Sequence, residues 1–549
     1  MSSFPVAISG LPQAILPLTG AELVPLVQGG ITKRASASTV FAYAQTPAEL
    51  AAGVTPTNAS YAPGWAPRFG VDVSGGTDCT AAFQNVLNAA AKGTLFSARG
   101  GATVVIPSGA ILFVGGNITV PANVTVRGPQ SFVGTMTSNS MSAPYHTMGG
   151  QISVASTATI TMNAGSCLDG LLIAQHGLTF PQTDPSQYAG SAITYAGDDC
   201  TVRNCMILGF NQGITSSGFQ RPKCFDCLMD NNNGISFTGS EDITHVERVH
   251  MWNFGTFYAA VPGVDLQRSG TGVAITADGS GAKVIDCFTF GYNTGFSTSG
   301  IGDVANTFLN CWADNTALGY GTGYAITGGA TDTKLTACMA SGCSQGYLFS
   351  LDAGLKATMT DCNAWGNGTH GILCGSGNAG DVIIRGGYIR NNPNGITYSN
   401  TGGNGILDVD EMAFDSTDSV PFNVTVSTTN IFIGLNNDFG SFAAGSPGII
   451  GTGTNVTVAT LTSNAGTVNL PYTGHTFNIS GTTAIGAVNG GWAGREVTLI
   501  FGAILAFGSS SGAYNAVRLA SGSTFTTAAG STLTIRHNGV QWYESGRAA

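Results

Sequence analysis

The chain has 549 residues, 9% of them charged, and a formal net charge of −10. That balance argues against nucleic acid as a partner, and no stretch of about 20 apolar residues is present to cross a bilayer as a helix. Glycine supplies 79 residues, double the usual ~7%, while apolar content is ordinary at 43%, which excludes a disordered profile and points to many tight turns.

Residues 1–45 are short and punctuated by Pro and Gly. Alternation from Glu22 to Val27 predicts a strand, Gln28-Gly-Gly-Ile a hairpin turn, and Ser36 to Tyr43 a short helix. The segment is too small to hold a core of its own. Its start, MSSFPVAISG, lacks the basic residues and apolar run of a signal peptide. Residues 46–68 carry Pro47, Pro56, Pro63 and Pro67 and read as a linker. A helix is expected over about 78–92, capped by Thr77 or Asp78, with Phe83, Val86, Leu87 and Ala90 on one face. Short strands follow at Val104, Ile111, Ile118 and Val124. The helix suits the capping of an open apolar end.

A repeat then sets the architecture. With one position of each unit called zero, that position holds Cys205, Cys227, Val249, Cys287, Cys311, Cys338, Cys362 and Gly387. The steps are 22, 22, 38, 24, 27, 24 and 25 residues, the long one implying an insertion around Thr256 to Thr271. Three positions before zero stand Val202, Cys224, Val246, Val284, Phe308, Leu335, Met359 and Ile384; two after it stand mostly apolar residues from Ile207 to Ile389. Zero and plus two share a face, as strand alternation requires. A Gly followed by Ile, Phe or Tyr closes most units, at Gly213, Gly234, Gly295, Gly319, Gly346, Gly371 and Gly395. Short strands joined by Gly/Asn turns at this period describe the coils of a parallel β-helix, an all-β solenoid running over residues 69–440. Asn211, Asn233 and Asn293, six after zero, are placed to bond along the axis. Leu168 and Leu171 continue the columns backwards. The cysteines at zero read as small buried hydrophobes rather than disulfides. Cys224 and Cys227 form a lone CxxC on core columns, without the second pair a zinc site needs. The GxGxxG match at Gly375 to Gly380 lacks a following helix and reads as a turn. No metal or cofactor is expected. Residues 441–549 lose the repeat and read as a separate β-rich domain.

Three stretches resemble known modules. LTGAELVPLVQGGITKR resembles the segment that opens many phage tail fibres and tailspikes, which implies attachment to tail or baseplate proteins through residues 1–45. The run from Phe69 to Gly128 resembles the opening of the pectate-lyase superfamily, with Cys79 in place of an Asp of that pattern. The end, with Trp542, Tyr543 and Glu544, resembles the C-terminal domain that closes many phage tailspikes. Together they imply a right-handed parallel β-helix of the tailspike kind, a homotrimer closed by residues 441–549. They also imply location in the virion tail after synthesis in the host cytoplasm. Outward apolar residues such as Leu208, Phe288 and Met339 fit a need for cover by other subunits.

The outward columns carry the candidate chemistry. In a chain so poor in charge, Asp226, Asp230, Asp286, Asp314, Glu247, Arg248 and His250 gather with Trp252 and Trp312 on neighbouring coils. Aromatic faces cover sugar rings, and carboxylates and Arg bind hydroxyls, so this mix suits a bacterial surface polysaccharide. Asp226, Arg248, His250, Trp252 and Trp312 are the expected binding residues. Glycoside hydrolysis needs two carboxyls ~5–5.5 Å apart for retention or ~6.5–9.5 Å for inversion. Coils stack ~4.8 Å apart, so pairs drawn from Asp230, Asp286, Asp314 and Glu247 across coils are the catalytic candidates. Asp226 and Asp230 are placed on one strand, and Glu241 and Asp242 on a preceding turn. A polysaccharide lyase using Arg248 or His250 as base, and a spike that binds without cleaving, remain alternatives. The plainer reading of each single Asp is a solvated corner residue.

Overall fold

The computed structural model describes residues 23–28, 31–36, 45–93, 102–129, 150–178, 185–254, 267–277, 279–315, 319–399, 405–415, 418, 420–424, 431–433, 437–438, 449–451, 460–463, 466–470, 475–491, 493–510 and 515–548. The N-terminal strands Leu23–Gln28 and Ile31–Ser36 pair antiparallel, as the Gly-Gly between them suggests. The helix expected from Ser36 to Tyr43 lies outside the described residues, apart from Ser36, which ends the second strand.

The expected linker over residues 46–68 is packed instead. Thr46 and Glu49 form a capping box around the helix Pro47–Ala51. The same Glu49 carboxylate receives Arg68 through two hydrogen bonds of 2.6 and 3.0 Å, both side chains buried. Val54, Ala66 and Phe69 join Phe83 and Leu87 in the main core. The prolines that suggest a linker thus serve helix starts: Pro47 opens one helix and Pro67 stands in the first turn of the 3₁₀ helix Ala66–Phe69.

The capping helix runs Thr80–Ala91 and buries Phe83, Val86, Leu87, Ala89 and Ala90 against the end of the solenoid. It starts two residues later than expected. Asp78 accepts from the amides of Thr80 and Gly115, both at 2.9 Å, and so ties the helix start to the first coil. Cys79 takes the cap position without a side-chain cap bond; its thiol is buried and donates to the Phe113 carbonyl at 3.1 Å.

The body is a right-handed parallel β-helix of about 14 turns. Each coil contributes three short strands. The first ladder runs through Thr201–Arg203, Lys223–Phe225, His245–Glu247, Lys283–Ile285 and Thr307–Leu309. The second runs through Met206–Leu208, Leu228–Asp230, His250–Met251, Phe288–Phe290 and Trp312–Asp314. The third forms a 13-stranded sheet that includes Gln212–Ser217 and Tyr292–Ser299. The inward columns are as the repeat predicts. From Leu168 through Val202 to Val409 the minus-three residues are fully buried, and the cysteines at zero are exposed by 2% or less. On the third ladder Phe296, Tyr324 and Tyr347 stack inside with ring centroids 4.9 and 4.8 Å apart. The hydroxyls of Tyr324 and Tyr347 are satisfied by the carbonyls of Cys311 and Cys338.

Position minus one is a corner, and in most coils it lies between two strands. Asn204, Asp226, Arg248, Asp286, Asn310, Ala337 and Asp361 all have φ between 51° and 53°, and Gly170 and Gly386 hold the same place at 69° and 68°. The left-handed conformation favours Asn, Asp and Gly, which explains most of this column without reference to ligands. It also separates Asp226 from Asp230, which stand on either side of a bend rather than on one strand.

Two other ladders differ from expectation. The axial asparagine ladder is buried: Asn231, Asn315, Asn367 and Asn392 each accept from a backbone amide of the coil before. In the column six after zero, Asn233 donates to the Asn211 carbonyl at 3.0 Å and accepts from the Thr271 amide of the next coil at 3.2 Å. The glycine column runs Gly213, Gly234, Gly272, Gly295, Gly323, Gly346, Gly371 and Gly395. A Cβ on any of these would lie 2.4–2.7 Å from a carbonyl of the next coil. Gly323, not Gly319, belongs to it; Gly319 is a turn residue at φ 56°. Farther along the chain, Val468, Phe477, Leu499, Leu533 and Trp542 form a second core with its own six-stranded sheet.

Candidate functional site

The outer side of the second ladder is divided. On its N-terminal coils Leu172, Ala174, Met206 and Leu208 form, with Phe254, an apolar cluster outside the solenoid core, against which Leu228 and Trp252 pack. Leu208 is therefore covered by its own chain, and cover by another subunit is not needed there.

Beneath this cover lies Asp230, 0% exposed. Its carboxylate pairs with Arg268 at 2.6 Å, and Arg268 also donates to Asn253 and to the Phe290 carbonyl. The Arg268 guanidinium sits over the Tyr292 ring at 4.9 Å. Asn253 and Arg268 thus meet Asp230 at the base of the excursion between the second and third strands of this coil. Most of the expected insertion, residues 255–266, lies outside the described residues. The expectation that Asp230 faces a glycan is corrected by this geometry: the outward position is real, but the layer above it turns it into an interior ion pair.

The remaining candidates fall in two neighbouring groups. At the left-handed corner, Arg248 pairs with Asp226 at 2.6 and 3.0 Å and also bonds Glu247. The exposed Asp226 carboxylate holds the Arg248 guanidinium above its ordinary value. Glu247 is also 3.2 Å from His245, whose imidazole burial pushes below its ordinary value, toward the neutral form. Asp286, one coil on and exposed, accepts from the Asn310 side chain at 2.7 Å. Glu241 and Asp242 lie away from this group, on the turn at the far end of the coil, where Asp242 pairs with Arg221 at 2.6 Å.

Beyond the corner, the outward residues of the second ladder make a ribbon. In register along the axis stand Leu228, His250, Phe288, Trp312, Met339, Asn363 and Tyr388. His250 meets Phe288 edge-on at 4.8 Å, and Phe288 meets Trp312 at 5.4 Å and 88°. Trp252 packs on Phe290 at 4.4 Å. Burial lowers the His250 pKa, so the ring is neutral near pH 7 and makes a poor anchor for an anion. Trp312 is 38% exposed. Its indole N–H donates to Ser341, whose hydroxyl donates to Asp314 at 3.0 Å. Asp314 is therefore held beside an exposed indole, half-buried.

The ribbon continues past the coils singled out in the sequence. Trp365 is 39% and Tyr388 36% exposed. Arg390 lies over the Trp365 ring at 4.4 Å, and the Tyr388 hydroxyl donates to Asp415 at 2.6 Å. These residues occupy the same plus-one and plus-three columns as Trp312 and Asp314. The sequence carries this signal in the same columns, but charge is denser on the earlier coils, where the corner accounts for much of it.

No family model matches this sequence, and no curated protein sequence matches it. Solved structures similar to the chain include the catalytic unit of a thermostable GH87 alpha-1,3-glucanase from Streptomyces thermodiastaticus, at 14% identity and TM-score 0.42, covering 75% of this chain and 70% of that one. A variant tailspike protein of E. coli bacteriophage HK620 in complex with a pentasaccharide is similar at 12% identity and TM-score 0.41, covering 96% and 95%. Tailspike protein 3 of bacteriophage CBA120 is similar at 14% identity and TM-score 0.40, covering 70% of this chain and 62% of that one. Among the described residues no helix is long and apolar enough to cross a membrane.

Proposed function

We propose that this chain is a phage tailspike, a homotrimer in the virion tail joined to tail or baseplate proteins through residues 1–45. On this reading it binds a bacterial surface polysaccharide along the outer face of its second ladder and hydrolyses it. The observation that carries the reading is the ribbon itself: Trp312, Asn363, Trp365 and Tyr388, with Asp314 among them, on coils that follow one another along the axis. A polysaccharide repeats apolar ring faces and hydroxyls, and coils ~4.8 Å apart repeat aromatic faces and polar groups to meet them. The tailspike assignment is further supported by the sequence resemblances at both ends of the chain.

For hydrolysis, Asp314, Asp286 and Glu247 are the solvent-reached carboxylates of the original set, and Asp230 drops out as a reacting group. Asp314 stands beside Trp312, and Asp286 and Glu247 stand on adjoining coils at the corner, where Glu247 is in register with the residue before Asp286; the acid and its partner are drawn from these three. The test is release of reducing ends from host polysaccharide. Two of Asp314→Asn, Asp286→Asn and Glu247→Gln should each reduce it at least ~100-fold while binding persists. Trp312→Ala should weaken binding. Normal release by all three carboxylate variants removes the catalytic assignment. A second reading, binding without cleavage, is favoured by the corner column: Asn204 and Asn310 share the φ of Asp226 and Asp286, so backbone preference alone accounts for those two acids. Binding by the unmodified protein with no oligosaccharide released decides for it.

A further inference from the structure

Resting on the saccharide reading of the ribbon, one residue on it specifies the class of saccharide. Arg127, Arg203, Arg221, Arg248, Arg268 and Arg385 of the β-helix all pair with a carboxylate. Arg390 forms no ion pair with a described residue. Its guanidinium lies over the Trp365 ring at 4.4 Å and bonds the Tyr388 side chain, and these two contacts hold a fork of five donors in place. Asp415, the acid one coil further on, accepts from the Tyr388 hydroxyl instead. The register Ser341, Trp365, Arg390 puts this group on the ribbon, at the end away from the apolar cover.

Of the expected binding residues, Arg248 and His250 are not free to meet an acidic substituent. Arg248 is already bound to Asp226 and Glu247, and burial keeps His250 neutral. A guanidinium with no ion pair among the described residues, held over an exposed indole, offers N–H donors in the fork that matches a carboxylate. We propose that Arg390, on its Trp365 platform, binds the carboxylate of an acidic sugar, so that the polysaccharide recognised here is an anionic one carrying uronate or a similar carboxyl-bearing residue. Trp365 presents its remaining surface to the adjoining ring, and Tyr388 lies beside both.

The full-length protein is tested against an array of purified bacterial capsular and O-antigen polysaccharides, neutral, carboxylate-bearing and phosphodiester-bearing. The expected result is binding to carboxylate-bearing polymers, lost when their carboxyls are reduced to alcohols. Arg390→Gln should weaken that binding ~10–100-fold, the worth of a charge-assisted hydrogen bond, and Arg390→Lys should retain part of it. Thermal unfolding of each variant at the wild-type midpoint shows that the fold is intact. Binding confined to neutral or phosphodiester polymers overturns the proposal. So does equal binding of reduced polymer, unchanged binding by Arg390→Gln, or no binding at all. If Trp312→Ala abolishes binding while Arg390→Gln does not, the ribbon stands as the saccharide site and only the anionic class is wrong.

Discussion

At the residue scale, the placement of two carboxylates makes claims that stability measurements check. Asp230 is an interior partner of Arg268. Removing one member of a buried pair leaves the other uncompensated, at a cost of ~3–5 kcal/mol. Asp230→Ala should therefore lower the unfolding midpoint strongly. A variant of unchanged stability that has lost only turnover would return Asp230 to the reacting groups. Asp418 continues the buried asparagine ladder: one carboxylate oxygen accepts from the Asn392 backbone and side chain, and the other is buried without a partner among the described residues. Burial pushes its carboxyl above the ordinary 3.8. A raised carboxyl favours folding fully below 3.8 and loses that contribution as pH rises through the folded value. Asp418→Asn, which restores the ladder residue, should stabilise the protein near pH 7 and do so less near pH 4. A variant less stable than wild type near pH 7, or an equal gain at both, would contradict this. The buried state of Asp230 was not legible in its column, because Arg268, which pairs with it, and Asn253, which Arg268 also bonds, come from outside the repeat columns.

Coil by coil, the inward columns were legible because burial on a strand repeats every second residue, and stacking forces each coil to repeat the pattern. Val202, Cys205 and Ile207 illustrate it, and the column of Val202 continues buried through eight further coils to Val409. The cysteines do more than fill space. Each thiol from Cys205 to Cys362 donates to the carbonyl two residues before it, at 3.1–3.5 Å, next to the left-handed corner. Burial also pushes the Cys205 and Cys227 thiols well up, away from the reactive thiolate. Thiol titration should find Cys205, Cys227, Cys287, Cys311, Cys338 and Cys362 silent in the native protein and reactive after denaturation; rapid labelling of most of them in the folded state would refute the inward column. The corner itself was missed, since a left-handed residue leaves alternation on either side intact and shows only as a column of Asn, Asp and Gly. The insertion before Gly323 likewise moved the glycine column by four residues, which spacing alone could not detect. The helices Pro47–Ala51 and Ala66–Phe69 were hidden by prolines that serve equally in linkers and first turns.

Over the whole molecule, the solenoid fixes where a long polymer can lie. Its N-terminal end is closed by the capping helix, its early outer face by the Phe254 cluster, and its interior by continuous packing. Among the described residues the ribbon from Trp312 to Tyr388 keeps Trp312, Trp365 and Tyr388 open to solvent along the axis on that side. The most direct measurement is a crystal structure of the full chain with an oligosaccharide from a polysaccharide it binds. The account predicts a three-fold assembly with sugar rings on the ribbon of each subunit, against Trp312 and Trp365, and a carboxyl-bearing residue at Arg390. Sugar density on another face of the solenoid, with the ribbon empty, would contradict it.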